Sequence, residues 1–356
     1  MENPNNQKEV NIDNHDKTVF NELINQGLRE GGIHLTASKG FGKSRLLFSM
    51  AAELMKRDSV RTFIFDGSEA WLYGFSRIPT FNINEADIQL SEVKTIQDIE
   101  TYKLTNWNLV KFALESENNL LFRLKTRKPS KRGFFIRTVI NYLDSLQRNE
   151  RAINANHEPK QSIAYFVEES QDAFNARSTT RLEAEEFLTV FNESRNQHEA
   201  FFTASQRLND FSKTIRTKQA YCLGRINAED MNPALRRLEK DLNIDLSKMP
   251  LRTWLFNGET FISPNWIQSG KPYICNREIR NRFNNYKPQP QKKAGILKQL
   301  LMLPLAVIFN GGSAPQTQPN NNEESEEETE ETENSEGDGL ETLEPSDILF
   351  PRDPET

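Results

Sequence analysis

The stretch from residue 33 to residue 67 reads IHLTASKGFGKSRLLFSMAAELMKRDSVRTFIFDG and decides the fold class. Its first four residues are β-prone, and a glycine-containing turn follows them. Apolar residues then recur at helical spacing between Ser44 and Arg57, which predicts a helix with one buried face. The run from Arg61 to Phe65 reads as the next strand. Strand, helix and strand in this order predict a βαβ unit, and therefore an α/β fold with a mainly parallel central sheet flanked by helices.

The turn between the first strand and the helix is Ala37-Ser38-Lys39-Gly40-Phe41-Gly42-Lys43-Ser44. Its spacing is that of the Walker A phosphate loop, with alanine at the first glycine position. The two glycines allow backbone N–H groups to close around a phosphate, and the helix adds its positive end. Lys43 can bridge the β- and γ-phosphates, while the Ser44 hydroxyl can hold Mg²⁺. A chance glycine-rich turn is the alternative, but the position between a strand and an amphipathic helix favours an ATP and Mg²⁺ site over residues 38–44.

An apolar run from Ile163 to Val167 ends in the two carboxylates Glu168 and Glu169. At the carboxyl edge of a parallel sheet these acids come close to the phosphate loop. One of them can bind Mg²⁺ and the other can accept a proton from an attacking water. The alternative is a strand that meets solvent through two charged residues.

A later strand over residues 200–204 ends in Ser205-Gln206-Arg207. A polar side chain at this strand end can sense the γ-phosphate or orient water. The alternative is an ordinary loop amide.

Together these three motifs resemble the HerA–FtsK superfamily over roughly residues 31–226. Its members are ring-forming, DNA-pumping ATPases with a RecA-like P-loop fold. The resemblance implies that Lys43 and Ser44 bind nucleotide and Mg²⁺, that Glu169 is the catalytic base and that Gln206 is the sensor. Glu168, the second expected metal ligand, stands where the family usually has aspartate.

The resemblance also implies partners. Members carry an arginine finger that reaches the ATP of a neighbouring subunit, and Arg195 is the first candidate here, with Arg207 the second. A homo-oligomer, with a hexameric ring as the expected form, and double-stranded DNA are therefore the expected partners.

A basic segment from Arg123 to Arg137 carries seven positive charges and no acid. Such a segment can track DNA phosphates and give salt-sensitive, sequence-independent affinity. The candidate DNA-binding residues are Arg127, Lys128, Lys131 and Arg132. The alternative is a solvated loop of a mildly basic domain.

Composition limits the class of protein. The net charge of -6 divides into -14 for residues 321–356, with 15 acids and one base, and +8 for the rest. Two cysteines exclude a disulfide framework, and four dispersed histidines disfavour a zinc site. The polar N-terminus has no signal-peptide core, and no apolar run is long enough to span a membrane, so we expect a cytoplasmic protein.

The domain organisation follows from these patterns. Residues 1–30 are expected to be a polar N-terminal segment, and residues 31–286 the ATPase domain, with an insertion at about 69–118 beside the sheet. Asn257-Gly258 predicts a C-terminal β-hairpin with a type I′ turn. The remaining predictions are a linker at 287–295, a short apolar segment at 296–309 and a disordered acidic tail at 310–356. The apolar segment can dock onto a protein partner, the body of the protein or a membrane surface, and the alternative is a strand or helix packed on its own domain.

The sequence favours an ATP-hydrolysing, DNA-translocating motor for viral genome packaging or mobile-element DNA transfer. Two other readings stay open. One is a phage morphogenesis or secretion ATPase of the zonular-occludens-toxin type, and the other is a nucleotide-gated scaffold with little turnover. A small-molecule kinase gives the glutamine at 206 no evident role.

Overall fold

The structure is a computed structural model of the 356-residue chain. It describes residues 13–67, 78–94, 99–153, 161–168, 189–206, 219–264 and 273–286. The helices are α1 (Asn14–Glu30), α2 (Lys43–Leu54), α3 (Trp107–Ser116), α4 (Pro129–Ile153), α5 (Pro233–Leu242) and α6 (Asn276–Asn285). The strands are β1 (Gly32–Thr36), β2 (Val60–Asp66), β3 (Pro79–Asn84), β4 (Ile88–Lys94), β5 (Ile99–Leu104), β6 (Asn119–Lys125), β7 (Ser162–Val167), β8 (Glu199–Ser205), β9 (Ala220–Leu223), β10 (Thr253–Phe256), β11 (Glu259–Ile262) and β12 (Tyr273–Ile274).

Ten of these strands form one sheet in the order β11-β10-β9-β1-β8-β7-β2-β6-β3-β12. The pairings from β9 through to β12 are parallel, whereas β10 and β11 join antiparallel at one end. The strand β8 separates β1, which leads into the glycine-rich turn, from β7, which leads into the acids. The predicted α/β fold with a mainly parallel central sheet flanked by helices is confirmed.

The sheet divides the core into two layers, and β7 shows how. Its Ala164 and Phe166 lie in the cluster that includes α1 and α2, while Tyr165 and Val167 lie in the cluster with α3 and α4. Alternate strand residues point to opposite faces, and both faces are covered by helices. This is why the central strands read as continuous apolar runs.

The first helix belongs to the folded domain. Residues 1–30 were expected to be a polar segment outside it, yet α1 buries Leu23 and Ile24 completely. Gly27 lets the helix approach the sheet, since a Cβ built there would lie 2.8 Å from a ring carbon of Phe202. The predicted start of the domain at residue 31 therefore lies too far along the chain. The segment is polar overall, but its few apolar residues are three and four positions apart and form the buried face of α1.

The region predicted as an insertion is divided between the sheet and its surroundings. Strand β3 pairs in parallel with β6 and is a member of the main sheet, with Phe81 and Ile83 fully buried. Strands β4 and β5 form a separate antiparallel pair, and α3 packs in the second core layer. The prediction that the whole of 69–118 lies beside the sheet is wrong for β3. The strand escaped prediction because it is short and contains Asn82 and Asn84, a residue type that is uncommon in strands.

The predicted C-terminal hairpin is present as β10 and β11. Asn257 and Gly258 have φ values of 50° and 82°, as a type I′ turn requires at both central positions. The first helix holds this hairpin, since Asn257 Nδ2 donates to Gln26 Oε1 at 2.7 Å and Ile262 N donates to Asp16 Oδ1 at 3.0 Å. Hydrogen bonds therefore join the first helix of the domain to this C-terminal hairpin.

Several predicted features lie outside the described residues. They are Glu169, Arg207, the linker at 287–295, the apolar segment at 296–309 and the acidic tail at 310–356. Among the helices of the described ranges, none combines the length and the apolar character needed to cross a bilayer.

Candidate nucleotide-binding site

The glycine-rich turn joins β1 to α2 at the carboxyl edge of the sheet. Gly40 and Gly42 have φ values of 79° and 105°, which is left-handed backbone that favours glycine. A Cβ built at either position meets nothing within 4 Å, so the loop opens on free space where a phosphate could approach its backbone N–H groups. The described geometry therefore fits a nucleotide phosphate.

The loop is fixed by the segment that follows β9. Ser38 N donates to the Arg225 carbonyl at 2.7 Å, and Ser38 Oγ donates to Asn227 Oδ1 at 2.9 Å. Asn227 N in turn donates to Ser38 Oγ at 3.1 Å. These contacts join residues far apart in sequence, so no local pattern could have identified Arg225 or Asn227 as supports of the loop.

Phe41 anchors the loop from inside. Only 3% of Phe41 is exposed, and its ring packs edge-on against Trp254 at 5.3 Å between centroids. The guanidinium of Arg225 lies 5.6 Å from the same ring centroid. Gly224 provides the space, because a Cβ built there would lie 2.4 Å from Phe41 Cδ1. Phe41 was expected among the nucleotide-binding residues, and its side chain serves to hold the loop on β9 and β10.

Lys43 is held by the carbonyls of its own loop. Its Nζ donates to the Ala37 carbonyl at 2.6 Å and to the Ser38 carbonyl at 3.1 Å. Burial lowers the pKa of Lys43 to about 8, and the nearby negative charge of Glu168 partly opposes this shift. The ammonium group is therefore poorly solvated and gains from an added negative charge.

Ser44 and Glu168 meet across the sheet edge. The Ser44 hydroxyl donates to Glu168 Oε1, which joins the first turn of α2 to the carboxyl end of β7. A hydroxyl and a carboxylate are the hard oxygen ligands that Mg²⁺ prefers, so the two residues fit the metal. The Glu168 side chain is one methylene longer than the aspartate that is usual at this position in the HerA–FtsK superfamily. This length lets its carboxylate reach the Ser44 hydroxyl.

Gln206 follows β8 directly and is exposed. Because β8 lies between β1 and β7, Gln206 stands at the same edge as the loop and Glu168. Thr36, the last residue of β1, and Ser205, the last residue of β8, are register partners. The topology thus places the predicted sensor between the loop and the acid.

Arg195 occupies the opposite edge of the sheet. It lies in a 3₁₀ turn before the amino end of β8 and is exposed. Parallel strands place the amino end of β8 far from the loop that follows β1, so Arg195 does not join the site of its own chain. Sheet polarity leaves it available only to another molecule.

The four basic candidates differ in their surroundings. Arg127 and Lys128 follow the carboxyl end of β6 and are exposed. Lys131 and Arg132 lie in the first turn of α4, and the side chain of Lys131 is 12% exposed because it pairs with the Glu85 carboxylate. Arg132 Nη1 donates to the carbonyl of residue 126 at 3.4 Å. The prediction named all four as DNA-binding residues, whereas in this structure Lys131 and Arg132 are engaged in contacts within the protein.

No protein-family model matches the chain, and no curated protein matches it either. Solved structures similar to it include the genome packaging NTPase B204 from Sulfolobus turreted icosahedral virus 2 in complex with ATP-gammaS. That match has 10% identity and a TM-score of 0.40, and covers 66% of this chain and 97% of that chain.

The bacterial conjugative coupling protein TrwBdeltaN70 is 12% identical over 70% of this chain and 89% of that one, with a TM-score of 0.43. VirB4 of Thermoanaerobacter pseudethanolicus is 10% identical over 66% and 89%, with a TM-score of 0.42. These neighbours are HerA–FtsK-type P-loop ATPases, the group that the motifs of this chain resemble. At these identities and TM-scores the roles of individual residues rest on the geometry of this chain.

Proposed function

We propose that this chain is an ATP-hydrolysing motor that translocates double-stranded DNA in genome packaging or mobile-element transfer. The observation that carries the ATPase part is the convergence of the phosphate loop, Lys43 and the Ser44–Glu168 contact at one sheet edge. The DNA part rests on the resemblance of the motifs to DNA-pumping ATPases and on the exposed charges of Arg127 and Lys128.

ATP bound with Mg²⁺ supplies the phosphoryl group and the metal charge. The backbone N–H groups around Gly40 and Gly42 hold the phosphates, and the ammonium of Lys43 turns from the loop carbonyls to their negative charge. The oxygens of Ser44 and Glu168 hold the metal.

The remaining groups act on the attacking water. Glu169, next to Glu168, is proposed to accept its proton, and Gln206 is proposed to orient it from the neighbouring strand end. Exposed on the opposite edge, Arg195 can act only on the nucleotide of an adjacent subunit. This geometry suits a ring in which each site is completed by its neighbour, for which we propose six copies.

A nucleotide-gated scaffold is the second candidate, and the Ser44–Glu168 contact favours it. Glu168 already accepts the Ser44 hydroxyl, so the two groups that would hold Mg²⁺ are engaged with each other. A chain that binds ATP tightly but inserts metal slowly would respond to nucleotide without rapid turnover.

The two candidates differ in steady-state ATPase activity with and without double-stranded DNA. For the motor we expect DNA-stimulated turnover that falls by about 10³-fold in Glu169→Gln and is lost in Lys43→Ala. Lys56→Ala is the matched control, because Lys56 is an exposed lysine at the far end of the α2 region, paired with Glu53. Tight ATP binding with negligible turnover under both conditions would exclude the motor and support the scaffold.

A further inference from the structure

A buried polar row joins β1 to β8 directly beneath the proposed site. His34 on β1 is 1% exposed, and both of its ring nitrogens face hydroxyls of β8. The distance from Nδ1 to Thr203 Oγ1 is 2.8 Å, and that from Nε2 to Ser205 Oγ is 3.0 Å. One imidazole therefore links two consecutive inward-facing positions of the neighbouring strand.

The direction of the hydrogen bonds follows from the next member of the row. Gln219 Nε2 donates to the Phe201 carbonyl at 2.8 Å, which leaves its amide oxygen facing Thr203 Oγ1 at 3.2 Å. Thr203 Oγ1 can donate its single proton to that oxygen or to the Ile33 carbonyl at 3.4 Å, and in either case it accepts from His34 Nδ1–H. In the neutral ring Nε2 then accepts from the Ser205 hydroxyl, which fixes the rotamer of Ser205.

The row ends at the residues that the proposed chemistry uses. His34 stands two residues before Thr36, the last residue of β1 before the phosphate loop. Ser205 is the last residue of β8 and is bonded covalently to Gln206. Thr36 and Ser205 are register partners, so the row braces the two strand ends that carry the loop and the sensor.

An apolar trio would join the same strands without the cost of desolvating the three polar side chains of His34, Thr203 and Ser205. What the polar row adds is a fixed orientation, because each hydrogen bond specifies a rotamer as well as a distance.

We propose that His34 is a positioning residue that holds the end of β8, and with it Gln206, in register with the phosphate loop for hydrolysis. The inference rests on the proposed ATPase function, since Gln206 has a role to be positioned for only if ATP is cleaved. His34 itself touches neither nucleotide nor water in this scheme.

The test compares kcat and KM for ATP in purified full-length variants. His34→Phe alone removes the imidazole that contacts two buried hydroxyls, which destabilises the fold. The decisive variant is therefore the triple change His34→Phe, Thr203→Val and Ser205→Ala, in which the bridge is apolar and part of the unfolding stability is restored, although Gln219 Oε1 loses the Thr203 donor. We expect its kcat to fall about 10- to 100-fold while KM changes by less than about threefold.

Thr62→Val is the matched control. Thr62 is a fully buried threonine of the same sheet, and its hydroxyl has no hydrogen-bond partner among the described residues. We expect this variant to keep the kcat of the unchanged protein. If the triple variant does not fold, Ser205→Ala gives the same readout, since it keeps the His34–Thr203 bond and removes the His34 contact with the residue that precedes Gln206.

Coupling to the sensor is measured in a Gln206→Ala background. If His34 acts through Gln206, the triple change lowers kcat little further there. A triple variant with unchanged kcat, or one whose loss multiplies fully with that of Gln206→Ala, overturns the inference while the ATPase stands. Absence of ATP turnover in the unchanged protein overturns the proposed function itself, and this inference with it.

Discussion

Replacing Gly224 with alanine should displace the phosphate loop. The added Cβ would lie 2.4 Å and 2.5 Å from two ring carbons of Phe41, and 2.8 Å from the Cβ of Ala37. Carbon atoms in contact normally stay more than about 3.5 Å apart, so the ring must move by about 1 Å. Phe41 is 3% exposed and is confined by Trp254 on one side, so it has little room to move.

The expected cost has two parts. Overpacking of this kind destabilises a fold by about 1–3 kcal/mol, which a urea titration of unfolding would show as a lower midpoint with an unchanged slope. Phe41 lies between Gly40 and Gly42, so its displacement also distorts the phosphate-binding backbone. We expect the affinity for a fluorescent ATP analogue to fall about tenfold, equivalent to about 1.4 kcal/mol.

A double-mutant cycle tests the cause. In a Phe41→Leu background the smaller side chain yields to the new methyl group, so Gly224→Ala should cost clearly less than in the unchanged protein. Gly67→Ala is the control, because its Cβ would meet only the flexible side chain of Arg132, at 3.1 Å. Unaltered affinity and midpoint in Gly224→Ala would refute the packing explanation of the loop's position.

Three further predictions concern charge. The pKa of Lys43 is lowered to about 8 mainly by burial, and bound phosphate should raise it, so ATP binding above pH 8 should take up a proton and weaken by up to about tenfold per pH unit. Calorimetry in buffers of different ionisation enthalpy measures this uptake, which Lys43→Arg should abolish. Burial raises the pKa of Glu199 to about 8, and the hydrogen bond from Tyr165 partly opposes this shift. Between about pH 5 and pH 8 the folded state therefore keeps a proton on Glu199 that the unfolded state has lost. The free energy of unfolding should fall as the pH rises through this range. Glu199→Gln should therefore unfold at higher urea than the unchanged protein at pH 9, with the difference shrinking toward pH 5. For DNA, Lys128→Ala should reduce the salt dependence of binding by about one counterion, whereas Lys131→Ala should leave it unchanged, since Lys131 is paired with Glu85.

Each of these has a contradicting result. Equal proton uptake in Lys43→Arg would assign the linkage to another group. A stability difference for Glu199→Gln that does not vary with pH would mean that the carboxyl keeps an ordinary pKa. A salt slope that responds to Lys131→Ala as strongly as to Lys128→Ala would return Lys131 to the DNA-binding set.

The local chemistry of the site was predictable because it is encoded in short windows. The loop at 37–44 and the acid at the end of β7 follow from motif spacing and from the apolar character of the strand, and in the structure Ser44 and Glu168 are in contact. The hairpin at Asn257-Gly258 was predictable for the same reason, since its turn type depends on two adjacent residues.

What could not be predicted depends on contacts between distant segments. The supports of the loop at Arg225 and Asn227, and the pairing of Lys131 with Glu85, join residues that no window includes together. Strand β3 was missed because its alternating run is short and contains two asparagines, which are uncommon in strands. In each case tertiary packing overrides the local signal.

The strand that leads into the phosphate loop is made long before either of its neighbours. It pairs with β8 and β9, and the His34–Thr203 bond alone spans 169 residues. During synthesis the strand before the glycine-rich turn therefore lacks both of its neighbouring strands until β9 has been made. A stalled or truncated nascent chain should be unable to capture nucleotide, and folding should be slow because its central pairing closes so large a loop. The chain would thus become able to bind ATP only late in translation, after β8 and β9 have been made.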